Sequence, residues 1–158
     1  MGSIRENPPA GYDADFFRWT QETAELLRQG RFDETDKENL AEEVADMGKR
    51  DRRELQSRMI VLVMHLMKWA AQPQFRGASW VDTISEQRVQ IDGILDQSPS
   101  LRSYGIGELH AIFRKAAVRA SKETRIPLET FQASEKVPAL DRLLAADFFP
   151  ANPSDLIR

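Results

Sequence analysis

The chain has 158 residues, of which 30% are charged, and its formal net charge is −3. This length fits one domain that builds its own hydrophobic core without a structural metal or a disulfide. Because the sequence has no cysteine, disulfides, zinc–thiolate sites, iron–sulfur clusters and cysteine nucleophiles are excluded. The acidic balance also leaves no global basic field that would attract nucleic acid.

The N-terminal residues contain no apolar segment of the kind found in signal peptides, and residues 1–11 are predicted to form a flexible tail. The longest apolar run, Met59–Met64, is far shorter than the roughly 20 residues that cross a bilayer. We therefore expect a cytoplasmic protein that makes no contact with a membrane.

A first helix is predicted after Tyr12. Asp13 or Asp15 can cap its N-terminus, and Phe16 and Trp19 open an apolar pattern with helical spacing. Gly30 is predicted to end this helix.

The next segment, residues 36–71, is predicted to be one long helix capped by Asp36. Its first half is acidic, its middle is basic, and Met59–Trp69 is apolar on most sides, which favours a position at the centre of a helical bundle. Gly48 lowers helix stability by about 1 kcal/mol relative to alanine, so a kink or a break there is an alternative.

Three further helices are predicted after Pro73. Ser79 is expected to cap the first of them, and Gly105 and Gly107 are expected to interrupt the second. Pro138 opens a last short helix, and residues 151–158 are predicted to be a flexible tail. The fold predicted for residues 12–150 is therefore a single all-α domain, a compact bundle of five or six helices.

The acidic half of the long segment is the first candidate site. Glu38, Glu42 and Asp46 share one helical face, with Glu43 beside them, and like charges at this spacing repel each other. The functional hypothesis is a carboxylate site for a metal ion or a cationic partner. The structural alternative is a solvated face near a helix N-terminus, where the helix dipole favours negative charge.

His65 and Lys68 form the second candidate, on a narrow polar stripe of the same segment. His65 could act as a base or a ligand while Arg58 or Lys68 holds an anion. The alternatives are a solvated stripe, or a buried hydrogen-bond network that fixes the register of the helix. An unbroken helix would separate Glu43 from His65 by about 33 Å, so the two could share a site only if the chain reversed near Gly48.

The third candidate is the basic run containing Arg50, Arg52 and Arg53, which could contact phosphates or an acidic protein. Acidic neighbours dilute this run, and no aromatic residues alternate with it as a base-stacking surface would require. Nucleic-acid binding is therefore disfavoured.

Several short motifs occur along the chain in a characteristic order and spacing. They are Tyr12–Phe17 with Trp19, Gly30–Phe32 with Asp36, Glu38–Val44, His65–Trp69, Gln72–Pro73, Ser79–Trp80, Ile84–Arg88 and Ser98–Leu101. Together they resemble a bacterial family catalogued as domain of unknown function 29. The resemblance covers roughly residues 12–150 and implies a small all-helical domain, but no activity, cofactor or catalytic residue.

The sequence favours a protein-interaction or regulatory module without a cofactor or bound metal, and its partner is either an unknown protein or a second copy in a homodimer. One alternative is a small metal-dependent or acid/base enzyme that uses Glu42, Glu43, Asp46, His65 and Lys68. A second is nucleic-acid binding through the three arginines. No Glu-x-x-His pair of the kind used by helical di-iron proteins is present.

Overall fold

The computed structural model describes residues 11–132 and 136–156, and every regular element within these ranges is helical. The five α-helices and the four short 3-10 helices confirm the predicted all-α fold with a long helical segment. The α-helices are α1 (Phe16–Arg28), α2 (Lys37–Ala71), α3 (Ala78–Gln97), α4 (Leu101–Thr124) and α5 (Leu140–Leu144). The 3-10 helices are Phe32–Glu34, Pro73–Phe75, Leu128–Thr130 and Pro153–Leu156.

Local capping signals set the ends of the first two helices. The carboxylate of Asp15 accepts a hydrogen bond from the backbone N–H of Arg18 at 3.0 Å, and the carboxylate of Asp36 accepts one from Asn39 at 3.2 Å. Gly30 follows α1 with φ +72°, a left-handed conformation that glycine adopts at little cost. These three predictions are confirmed.

The chain divides into two compact units, residues 1–49 and residues 50–158, and α2 contributes to both. The alternative of a break at Gly48 is wrong, because α2 is helical through this residue. The single domain predicted for residues 12–150 stays a prediction. Within the described ranges, no helix combines the length and the hydrophobicity that crossing a bilayer requires.

The second unit contains a dense core in which α2 packs against α3 and α4. As predicted, the apolar part of α2 supplies much of this core, and nine of its residues are buried. Ile84, Ile91, Ile112 and Phe113, all with 0% exposure, face them from α3 and α4. Fully burying a side chain of this size stabilises a fold by about 1.5–3 kcal/mol.

The first unit buries far less. Among residues 11–49 only Trp19 and Thr23 are buried. The rings of Tyr12 and Phe16 pack against Trp19, with the Tyr12 ring edge-on to the indole at a centroid distance of 5.0 Å. A small aromatic cluster therefore takes the place of a layered core in this unit.

Three local predictions differ from the structure. Ser79 does not cap α3, which begins at Ala78 with the extended Gly77 before it. Gly105 and Gly107 do not interrupt α4, because the packing of Gly105 against Met59 supports the helix there; a Cβ at Gly105 would lie 3.5 Å from the Met59 sulfur. The described part of the predicted C-terminal tail, residues 151–156, contains the 3-10 helix Pro153–Leu156, in which Leu156 is only 1% exposed.

Candidate functional site

The predicted acidic residues lie in the first unit, and each has a different environment. Glu42 is exposed and makes no hydrogen bond or ion pair with the part of the chain that the structure describes. Glu43 is half-buried and accepts a hydrogen bond of 2.6 Å from the hydroxyl of Tyr12. Asp46 pairs with Lys49 at 2.7 Å. Across residues 11–132 and 136–156, no three histidine or acidic side chains are placed to hold a metal ion.

The contact between Tyr12 and Glu43 ties the segment before α1 to α2. The hydrogen bond to Glu43 raises the pKa of Tyr12 to about 12, so the phenol remains protonated and donates at neutral pH. Glu43 therefore serves as the acceptor of a structural hydrogen bond, and sequence reasoning gave no sign of this pairing because the two residues are far apart in the chain.

A cleft of about 220 Å³ lies beside this contact in the first unit. Tyr12 and Trp19 line it together with the carboxylates of Glu22, Glu34 and Asp36. Each carboxylate already has a neighbour. Glu22 pairs with Arg18 at 2.7 Å. A hydrogen bond from Arg31 lowers the pKa of Glu34, and Asp36 caps α2. The cleft is therefore lined by acids that already have structural contacts.

His65 and Lys68 lie one turn apart on α2, in the second unit. The Nδ1 of His65 donates a hydrogen bond of 2.9 Å to the carbonyl of Val61, and burial lowers the pKa of the ring below 6.5. The ammonium of Lys68 pairs with Glu123 at 2.7 Å and lies 5.1 Å from the centre of the Trp80 ring. Because burial lowers the pKa of His65, the neutral imidazole is favoured. Through its contacts with Glu123 and Trp80, Lys68 links α2 to α4 and α3.

The three arginines of the predicted basic run belong to the second unit and have different surroundings. The guanidinium of Arg52 lies over the ring of Tyr104, 4.9 Å from its centre, which is a cation–π contact. Arg50 and Arg53 are exposed and contact no acidic side chain in the described residues.

The structure therefore places the candidates in separate surroundings. Glu42, Glu43 and Asp46 belong to the first unit, whereas His65 and Lys68 belong to the second. A catalytic or ligand-binding role for any of these five residues stays a prediction.

Arg88 is the most deeply buried charged residue that the structure describes, at 4% exposure, and no sequence pattern indicates its role. Its guanidinium donates three hydrogen bonds to backbone carbonyls, those of Leu143 at 2.9 Å, Ala146 at 3.2 Å and Phe148 at 2.6 Å. Burial lowers the pKa of Arg88, as expected for a cation surrounded by carbonyls and the ring of Phe149.

Arg76 makes a similar contact nearby. It donates to the carbonyls of Trp69 and Ala151, both at 2.8 Å, and its guanidinium lies over the Trp69 ring. Trp69 in turn packs on Phe149 at 4.9 Å. The hydrogen bonds of Arg76 and Arg88 thus join the segment after α5 to the rest of the second unit.

A second feature that sequence reasoning missed is a basic face on α4. Five cations follow one another at intervals of one, three or four residues, which places them on one side of a helix. This spacing is the sequence signal that could have revealed the basic face. The cations are Arg114, Lys115, Arg119 and Lys122, with Arg125 at the C-cap of the helix.

A family model described as domain of unknown function DUF29 matches residues 12–149 of the chain. Comparisons with curated proteins and with solved structures found no significant match. The match spans most of the sequence and agrees with the motifs that suggested the resemblance. This chain therefore belongs to the DUF29 family of domains of unknown function.

Proposed function

We propose that this protein is a protein-interaction module with a regulatory role. It binds a partner protein through its first unit. One observation carries this proposal. Among residues 11–49 only two side chains are buried, while six large apolar side chains are exposed. The exposed residues are Phe16 at 48%, Phe17 at 74%, Leu27 at 36%, Phe32 at 58%, Val44 at 61% and Met47 at 58%.

The exposed apolar residues of α2 adjoin one another. At about 100° per residue, five exposed residues fall in one sector of the helix about 160° wide. They are Ala41, Val44, Ala45, Met47 and Gly48. Apolar side chains exposed singly need no explanation, but contiguous ones mark a surface that another molecule covers. We name these five residues the α2 apolar face.

Charge favours a partner of a different sequence. Residues 11–49 contain eleven acidic and five basic side chains, a net charge of −6. Pairing two copies of this unit would bring like charges together, whereas a basic or neutral partner would avoid that cost. The homodimer predicted from the sequence is the competing form. A cytoplasmic location remains part of this proposal.

The test is affinity capture from native cells with the full chain and two matched variants. Val44→Asp places a charge at the centre of the α2 apolar face. Val89→Asp makes the same change on α3 at a site of similar exposure, 66% against 61%. Both sites are on the surface, so each variant should change the free energy of unfolding by less than about 1 kcal/mol.

We expect the wild type and Val89→Asp to retain the same partner, and Val44→Asp to lose it. Retention of that partner by Val44→Asp would contradict the role of this face. Sedimentation would separate the homodimer from the proposed complex, because a dimer that dissociates only in Val44→Asp would identify a second copy as the occupant.

A further inference from the structure

The cations of α4 form a continuous exposed face in the second unit. At about 100° per residue, Arg114, Lys115, Arg119 and Lys122 fall in a sector about 140° wide, opposite the buried face of the helix. Arg125 follows at the C-cap. All five are exposed. Between Arg114 and Arg125 the one acidic residue is Glu123, which projects beside this sector and pairs with Lys68. Glu108 lies in the same sector about 9 Å before Arg114 and accepts a hydrogen bond from Gln56. We call these five residues the α4 basic face.

The basic face is almost free of internal partners. Lys115 makes one long contact, 3.4 Å to the Oε1 of Gln56. The other four side chains make no hydrogen bond or ion pair with residues 11–132 or 136–156. Several other helices carry pairs of opposite charge, such as Arg18 with Glu22 at 2.7 Å and Arg58 with Glu54 at 2.9 Å, although Arg50 and Arg53 on α2 also contact no acidic side chain in the described residues.

Helix stability does not account for this pattern. Lys115 and Arg119 are four residues apart, and Arg119 and Lys122 are three apart, so both pairs place like charges together and destabilise the helix slightly. The helix dipole favours cations only in the last turn, which explains Lys122 but neither Arg114 nor Lys115.

An apolar residue lies in the middle of these charges. Val118 is 44% exposed and falls between Arg114 and Lys122 on the helix surface. The face has no aromatic side chain on which a nucleic-acid base could stack. An apolar centre with charged flanks is the pattern by which one amphipathic helix recognises another.

We propose that the α4 basic face docks an acidic amphipathic helix of a partner protein. The apolar side chains of that helix would cover Val118, and its carboxylates would pair with the flanking cations. The face extends for about 17 Å from Arg114 to Arg125, the length of about three helical turns. This inference concerns the second unit and does not depend on the proposed role of the α2 apolar face.

The test uses the full chain and synthetic helical peptides, with fluorescence anisotropy as the readout. One peptide carries a leucine stripe flanked by glutamates, a second has the same composition in scrambled order, and a third has lysine in place of every glutamate. Duplex DNA and single-stranded RNA complete the set. The double variant Arg114→Glu/Lys122→Glu reverses the charge at two positions of the α4 basic face, and Val118→Ser removes its apolar centre. The control is Arg50→Glu/Arg53→Glu, which changes the net charge by the same amount.

We expect the acidic amphipathic peptide to bind and the lysine peptide not to bind. Reversing the face should weaken binding at least about tenfold, because several exposed ion pairs are lost and repulsion replaces them. Val118→Ser should also weaken it, while the control double variant and Val44→Asp should bind as the wild type does. Because Val44→Asp alters only the α2 apolar face, unchanged peptide binding by this variant distinguishes the inference from the proposed function.

Four results would overturn the inference. The first is failure of the acidic peptide to bind at low salt, and the second is binding of the scrambled peptide as tightly as the amphipathic one. The third is tighter binding of DNA or RNA than of the peptide, lost in the reversed variant, which would make the face a nucleic-acid surface. The fourth is self-association in sedimentation that the reversed variant abolishes, which would identify a second copy as the occupant.

Discussion

Arg88 shows how a single buried cation can position a distant part of the chain. Its side chain is 4% exposed, and its hydrogen bonds reach carbonyls 55 to 60 residues further along. No carboxylate neutralises it by direct contact among the described residues. The planar guanidinium instead offers several donors in a fixed arrangement, which lysine cannot reproduce.

Replacing Arg88 by methionine should destabilise the protein by about 3 kcal/mol, because the buried carbonyl of Leu143 and the partly buried carbonyl of Phe148 would lose their donors. Urea denaturation followed by circular dichroism measures this change. Arg119→Met is the control, since Arg119 is exposed and its replacement should cost less than about 0.5 kcal/mol. Equal losses in the two variants would show that the guanidinium contributes nothing specific.

His65 should make stability depend on pH in the mildly acidic range. Burial lowers its pKa in the folded state below 6.5, so the unfolded chain takes up the proton first as the pH falls. The free energy of unfolding should therefore decrease between about pH 7 and about pH 5. In His65→Gln this decrease should be smaller. An unchanged pH dependence in His65→Gln would refute this assignment.

At the scale of the helices, the sequence predicts what depends on neighbouring residues. Asp15 and Asp36 cap helices because their carboxylates reach backbone N–H groups three residues ahead, and Gly30 ends α1 because it adopts a positive φ. The buried stretch of α2 was predictable for the same reason, since its apolar residues recur within a few turns.

The sequence fails where a distant contact decides the outcome. Gly105 suggested an interruption, yet its contacts with Met59 and Leu55 on α2 support a continuous α4. The hydrogen bonds of Arg88 and the contact of Tyr12 with Glu43 join residues that no periodic pattern relates. Among the candidate site residues, the sequence identified charged positions, but their partners follow only from the fold.

At the scale of the whole chain, the two units differ in how they are stabilised. The second unit contains a buried core with many fully buried side chains, whereas residues 11–49 bury only Trp19 and Thr23. Their charges differ too, because residues 11–49 carry a net charge of −6 while the chain as a whole carries −3. The second unit is thus stabilised by its own core. The acidic charge and the exposed apolar side chains of the first unit support the proposal that the first unit binds a partner.

Hydrogen exchange should reveal this difference within α2 itself. All nine buried residues of α2 lie between Leu55 and Ala70, and none lies between residues 37 and 49. A helical stretch of this length is marginal in water without tertiary packing, so its amides should open locally. We expect residues 55–70 to exchange at least about a hundredfold more slowly than residues 37–49, as measured by mass spectrometry at constant pH. Binding of the captured partner should slow exchange in residues 37–49 of the wild type but not of Val44→Asp. Equal protection along α2 in the free protein would mean that the helix opens as one cooperative unit, and the first unit would then need no partner to complete its packing.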